Sequence, residues 1–304
     1  MRSLSALDHA EIDSTRRAAG THAGQMEVRL HDSIDEFNSM AGPLYRRDPI
    51  TNTIELTLLQ AGELPDGSLL LTVWDSGDLI GAAIQTPPYP LACNALPIDS
   101  AGVVAAEVAR VNPELAGARG ARAATAGFAA AWNALTGSEG HVSVEERLYR
   151  LRSLRPPVGV QGDPCRATDQ DRGLLVDWVE GFYAETFGHP RDDEAGRRFV
   201  DAAERKGDRF TLWTVDDVPV SMAMLRAPAA DVSRIGPVFT PPERRGHGYG
   251  SAVTAAAVEL AHRSGTADVV LFTDLANPVS NAIYQRIGFE AVADSVRIDF
   301  RLPG

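Results

Sequence analysis

The clearest hydrophobic pattern lies in the second half of the chain. In LLVDWVEGFYAETF (174–187), Leu175, Trp178, Val179, Phe182 and Tyr183 recur at helical spacing and share one face of an amphipathic helix. RRFVDAAERKG (197–207) reads as a second helix closed by glycine. The period then changes. FTLWTVDDVPVSMAMLRAP (210–228) is two apolar runs around Asp216-Asp217, the mark of a hairpin. SRIGPVFT (233–240) is a further strand ending at Pro241-Pro242. Val253, Ala256, Ala257, Leu260 and Ala261 restore the helical period, and Gly265 stops it. DVVLFTD (268–274) is apolar at consecutive positions, so it reads as a strand covered on both faces. Asn277 as N-cap and Pro278 at the first helical position open a short helix that ends at Gly288. Val279, Ile283 and Ile287 form the face expected to pack on the sheet. A last strand covers about 292–302. Helices, hairpin, strand, helix, strand, helix, strand: the order predicts a layered α/β fold.

The first half carries a fainter copy of that order. SLLLTVWDSGDLIGAAIQTPP (68–88) reads as a hairpin around Gly77-Asp78, and alanine-rich helices are expected over 98–111 and 121–136. The prolines and glycines of LRPPVGVQGDPCRATDQD (154–171) interrupt the periodicity as a linker does. The expected division is a flexible tail over 1–24, a first domain over 25–155 and a second over 156–304.

Composition narrows the possibilities. A chain of 304 residues with 44% hydrophobic and 23% charged positions is globular and long enough for two cores. No apolar run approaches the eighteen or so residues of a membrane span, and the N-terminal stretch lacks an apolar signal core. Cys93 and Cys165 have neither metal-site nor disulfide spacing. A cytoplasmic protein without metal or membrane partner is the expectation. The net charge of −12, with Lys206 the one lysine, argues against nucleic acid; it reads first as plain solubility and is compatible with a cationic small molecule.

The chemistry concentrates in RRGHGYGSAV (244–253), where glycine stands at 246, 248 and 250. A phosphate-binding loop of the nucleotide triphosphatase kind needs Gly-Lys-Ser/Thr, and no lysine is near. A dinucleotide fingerprint needs a third glycine where Ser251 stands. The remaining pattern is Arg245-x-x-Gly248-x-Gly250 between a strand and a helix. Such a loop can turn its N–H groups and the helix N-terminus toward a phosphate, with arginine at the rim. Alone, the run is equally a turn that binds nothing.

The surroundings of the run decide between these. IGPVFTPPE precedes it, LFTDLANPVSNAIYQRIGF follows the helix, and Asn277, Ser280, Tyr284, Gly288 and Phe289 meet a second signature. Together these closely resemble the GCN5-related N-acetyltransferase (GNAT) family over about residues 160–302. The resemblance implies a GNAT-like mixed central sheet flanked by helices, with two such domains in tandem and the first one degenerate. It implies acetyl-CoA as co-substrate. The pyrophosphate would lie on Arg245, Gly246, His247, Gly248, Tyr249, Gly250 and Ser251. Pantetheine would pair with the edge at Val238, Phe239 and Thr240, and Asn277 and Ser280 would contribute from the second signature. It further implies direct attack of a primary amine, without an acyl-enzyme, and Tyr284 as proton donor to the leaving thiolate. A backbone N–H near Val238 would bond the thioester oxygen. No general base is assigned: Asp231, Glu180, Glu185 and Asp274 are acidic candidates, and Arg234 stands where some members carry glutamate. Acceptor identity, acyl length, a purely CoA-binding role and the choice between monomer and homodimer stay open.

Overall fold

The computed structural model describes residues 26–188 and 190–301; the tail expected over 1–24 lies outside them. The first half runs β1 (Glu27–His31), α1 (Ile34–Tyr45), α2 (Thr53–Ala61), β2 (Leu69–Asp75), β3 (Asp78–Gln85), β4 (Leu91–Ala92), α3 (Ala101–Val111), β5 (Gly117–Ala121), α4 (Arg122–Thr136) and β6 (Glu139–Leu151). The second half repeats the order element for element. It runs β7 (Asp163–Arg166), α5 (Arg172–Phe187), α6 (Asp193–Arg205), β8 (Arg209–Val215), β9 (Val218–Leu225), β10 (Val232–Phe239), α7 (Tyr249–Arg263), β11 (Asp268–Asp274), α8 (Pro278–Arg286) and β12 (Phe289–Arg301).

Local chemistry accounts for much of this. Ser33 caps α1 through the Glu36 N–H, and Asp192 caps α6 through the N–H groups of Glu194 and Ala195. The two hairpins turn on Ser76-Gly77 and Asp216-Asp217, all four at positive φ, as tight two-residue connections require. The first of these turns lies one residue earlier than the Gly77-Asp78 pair expected from the sequence.

All twelve strands form one sheet, in the order β1-β2-β3-β4-β5-β12-β6-β11-β10-β9-β8-β7. β4 with β5 and β10 with β11 pair in parallel; the other ladders are antiparallel. The last strand of each half has crossed over: β12 lies against β5, and β6 lies between β12 and β11. The β6–β12 ladder runs from Phe289↔Leu151 to Arg301↔Glu139 and joins the halves along its whole length. Arg147 bonds Asp294 across it at 2.6 Å.

Helices cover both faces. In the first half α1 and α2 pack on Leu70, Ala82 and Ile84, while α3 and α4 pack on Leu71, Val73 and Ala83. In the second, α5 and α6 cover Leu212, Met222, Met224 and Phe239, and α7 covers Ala223, Leu225, Ile235, Val269 and Leu271. The seam has its own apolar cluster, in which Ile50 of the first half meets Leu148, Val232, Val270 and Phe272. No helix among the described residues is long and apolar enough to cross a membrane.

Candidate active site

β10 and β11 begin as a parallel pair, from Val232↔Asp268 to Ile235↔Leu271, and the ladder stops there although both strands continue. The parting coincides with Gly236, at φ +145°, and with a register shift against β9 between Ile235 and Val238. Past it, the backbone of Val238, Phe239 and Thr240 borders a cavity instead of a strand. A glycine is needed at 236 because few side chains tolerate that φ.

The cavity has a volume of about 730 Å³ and reaches from this gap to the glycine loop. Gly248, at φ +84°, is the N-cap of α7, and no side chain caps the helix start. The N-terminal N–H groups of α7 thus end at the cavity, a favourable place for an anion. Arg244, Arg245 and Arg286 are part of the wall. Arg245 is fixed by its Nε bond to the Thr240 carbonyl at 2.9 Å and by a 2.5 Å contact of Nη2 with Glu185.

The residues that the resemblance assigns to acetyl-CoA and to proton donation line this cavity, His247 excepted; Gly288 and Phe289 of the second signature do not reach it. The His247 ring instead faces the loop, with Nδ1 2.8 Å from the Arg245 carbonyl oxygen and the ring stacked on Tyr249 at 5.3 Å. These contacts brace the loop. Asn277 reaches the wall, but its Oδ1 accepts the Ser280 N–H, so it chiefly caps α8. Asn281, which the signature passes over, ties that helix down. It donates to the carbonyls of Asp274 and Asn277, and its Oδ1 accepts from Tyr149 of β6.

Tyr284 packs edge-on to Phe289 at 6.2 Å and against the core beneath α7. Burial pushes its phenol up to about 12. The helix face differs from the expectation: Ile287 is buried, but Val279 is exposed and, with Ile283, lines the cavity rather than the sheet. The short α8 sits at the rim of the sheet, so only its last turn reaches the core.

The acidic candidates separate by position. Asp231 is a turn residue at positive φ, and Glu180 is buried, accepting the Asp192 N–H at 2.7 Å. Both stand away from the cavity wall. Glu185 and Asp274 line it. Glu185 holds Arg245, and Asp274 Oδ1 accepts the Ala276 N–H at 2.7 Å. Arg234 has its Nη1 buried without a partner, and burial pushes its guanidinium down to about 9, with Arg226 and Arg119 adding to the shift. Sequence reasoning missed Phe182, Phe272, Val144 and Glu146 of the wall. The last two belong to β6 of the first half, which no local pattern places there.

Comparison with known proteins bears on the family and the fold. Residues 175–289 match the model of the Acetyltransferase (GNAT) family. Over 299 residues the chain is 24% identical to the mycothiol acetyltransferase of Kocuria rhizophila, covering 86% of this chain and 95% of that protein. Among solved structures, a GNAT-family acetyltransferase from Colwellia psychrerythraea superposes with a TM-score of 0.61 at 12% identity, over 90% of this chain and all of that one. A tandem GNAT protein from the clavulanic acid biosynthesis pathway gives 0.59 at 14% identity, over 91% and 98%. At these identities the two structures bear on the fold.

Proposed function

From the premise that this chain belongs, through its second half, to the GNAT acetyltransferase family, we propose that it transfers an acetyl group from acetyl-CoA to a primary amine by direct attack in a ternary complex. The observation that carries the reading is the parting of β10 from β11 after Ile235↔Leu271, which opens a strand edge running to the uncapped start of α7. Acetyl-CoA supplies the acyl group as an activated thioester. The chain's own groups fit each part of it. The loop N–H groups and Arg245 suit the pyrophosphate, and Val238 to Thr240 offer backbone to an extended arm. A backbone N–H near Val238 would meet the negative charge that develops on the carbonyl oxygen during attack.

Tyr284 keeps its proton throughout the range in which amines are acylated, because its phenol lies near 12. Against a thiol of about 8.5, complete transfer from such a phenol is uphill. Its role is therefore a hydrogen bond to the departing sulfur, with solvent completing the protonation. The first half, which repeats the element order but lacks the glycine loop, is assigned as a degenerate copy without a CoA site.

Calorimetric titration of acetyl-CoA tests the reading. One site is expected, abolished by Gly248→Glu, which sets a carboxylate at the phosphate position. A Cβ at Gly248 would stand 3.0 Å from Val160 and at positive φ, so Gly248→Ala separates strain from charge and should retain part of the affinity. Two sites, or unchanged affinity in Gly248→Glu, would refute the assignment.

A further inference from the structure

The strand crossing carries a carboxylate into the cavity. Glu146 lies on β6, in register with Asp274 of β11 and Ser295 of β12. Residues directly opposite share a sheet face, so Glu146 projects to the side of Leu148 and Phe272, as its place in the cavity wall requires. The height is also fixed by register. Ile235↔Leu271 is the last β10–β11 pair, and Glu146 pairs with Asp274, three residues further along β11, so it stands beyond the end of that ladder. Glu146 therefore faces the stretch where β10 and β11 have parted.

Its surroundings differ from those of the other carboxylates in the wall. Glu185 is held by Arg245, and Asp274 by the Ala276 N–H. Glu146 is about a quarter exposed, and its partner among the described residues is Arg119 of β5, at 3.5 Å. The charged groups facing it from neighbouring elements are Arg119, Asp274 and Arg297 of β12, the last already bonded to Asp299 at 2.7 Å. Phe182 and Phe272 supply apolar wall nearby. Arg234, where some family members carry glutamate, offers no carboxylate and does not line the cavity.

We propose that Glu146, lent by the first half, binds the acceptor's ammonium group and takes its proton, and that the acceptor is a primary amine on an apolar body seated against Phe182 and Phe272. The inference rests on the acetyl-transfer reading above. One ammonium proton passes to the Glu146 carboxylate and on to water. The neutral nitrogen then attacks the thioester carbon; the C–N bond forms, the C–S bond breaks, and the sulfur leaves with the electron pair. Of the remaining two protons, one stays on the amide nitrogen and the other ends on the CoA thiol.

The full chain is assayed for thiol release from acetyl-CoA with 2-phenylethylamine and ethylamine. The phenyl compound should be the better substrate. Glu146→Gln should lower kcat/KM near neutral pH by roughly a hundredfold or more, as loss of a general base does. The deficit should narrow as pH rises and free amine replaces the base's work, and Glu146→Asp should recover part of the rate. Acetyl-CoA affinity should be unchanged in both variants. A Glu146→Gln enzyme with the rate and pH profile of the parent overturns the proposal, as does one that has lost acetyl-CoA binding, since the carboxylate would then be a strut. Failure of the parent reading looks different: the unmodified protein would bind no acetyl-CoA, or release no thiol with any amine.

Discussion

The same pair of parallel strands occurs twice in this molecule, once closed and once open. In the second half, β10 and β11 separate after four paired positions and the gap becomes a cavity wall. In the first half, β4 and β5 stay joined past the end of their ladder: the Cys93 N–H bonds the Arg119 carbonyl at 2.8 Å, and Asn94 Oδ1 accepts the Ala121 N–H at 2.9 Å. The amide of Asn94 also donates to Glu55, whose carboxyl is pushed up by burial, and to the Thr51 carbonyl. One polar side chain thus bridges the strands at the level where the second half has a cavity. The lesson is that a duplicated fold preserves its strands and cores, while a site depends on whether two strands are allowed to part.

The comparison treats the halves as separable, and the sheet says otherwise. A second half produced alone from residue 156 lacks β6, leaving β11 and the thirteen-residue β12 as bare edges. Such edges associate indiscriminately. The expected outcome is aggregation, or at best a swapped oligomer, on size-exclusion chromatography, with activity recovered only on coexpression with residues 1–155. A monomeric, active second half would show that the crossing is dispensable, and would remove Glu146 from the reaction as well.

A smaller effect is expected where the first half is closed. Asn94→Ala strips three bonds and leaves Glu55 buried without its amide partner. Losing a buried bonded group costs about 1–3 kcal/mol, read as a lower midpoint in thermal or urea unfolding. Acetyl-CoA stoichiometry should stay at one, because the first half still lacks the glycine loop and its arginines. A second site in this variant would mean that Asn94 alone shuts the first copy.

How much of this was legible in the sequence follows from range. The α5, α7 and α8 helices, both hairpins and the glycine loop are governed by residues close in the chain, by periodicity, turn and cap, and each was placed within a few residues. The α1 and α2 helices went unread: α1 contains Gly42 and Pro43, and α2 has only nine residues. The crossing of β6 and β12 leaves no local trace, since either strand would show the same alternation beside its own half. Glu146 is therefore invisible as a site residue until the sheet order is known. His247 is the converse case: a motif position whose ring contacts the Arg245 carbonyl and Tyr249 instead of lining the cavity.

The smallest effect concerns the open gap itself. Beside it, Arg245 of the loop after β10 contacts Glu185 of α5 at 2.5 Å, with both side chains nearly half exposed. The carboxylate competes with any phosphate for the same guanidinium. Exposed pairs of this kind are worth at most about 1 kcal/mol, so Glu185→Gln should tighten acetyl-CoA binding by no more than about fivefold. The gain should shrink between low and physiological salt, as screening removes the competing charge. Arg245 keeps its Nε bond to Thr240 in the variant and stays in position. Calorimetry at two ionic strengths measures both quantities. Weaker binding instead would mean that Glu185 orients Arg245 for the phosphate, and the open gap would then owe its anion site to a carboxylate as well as to glycine and arginine.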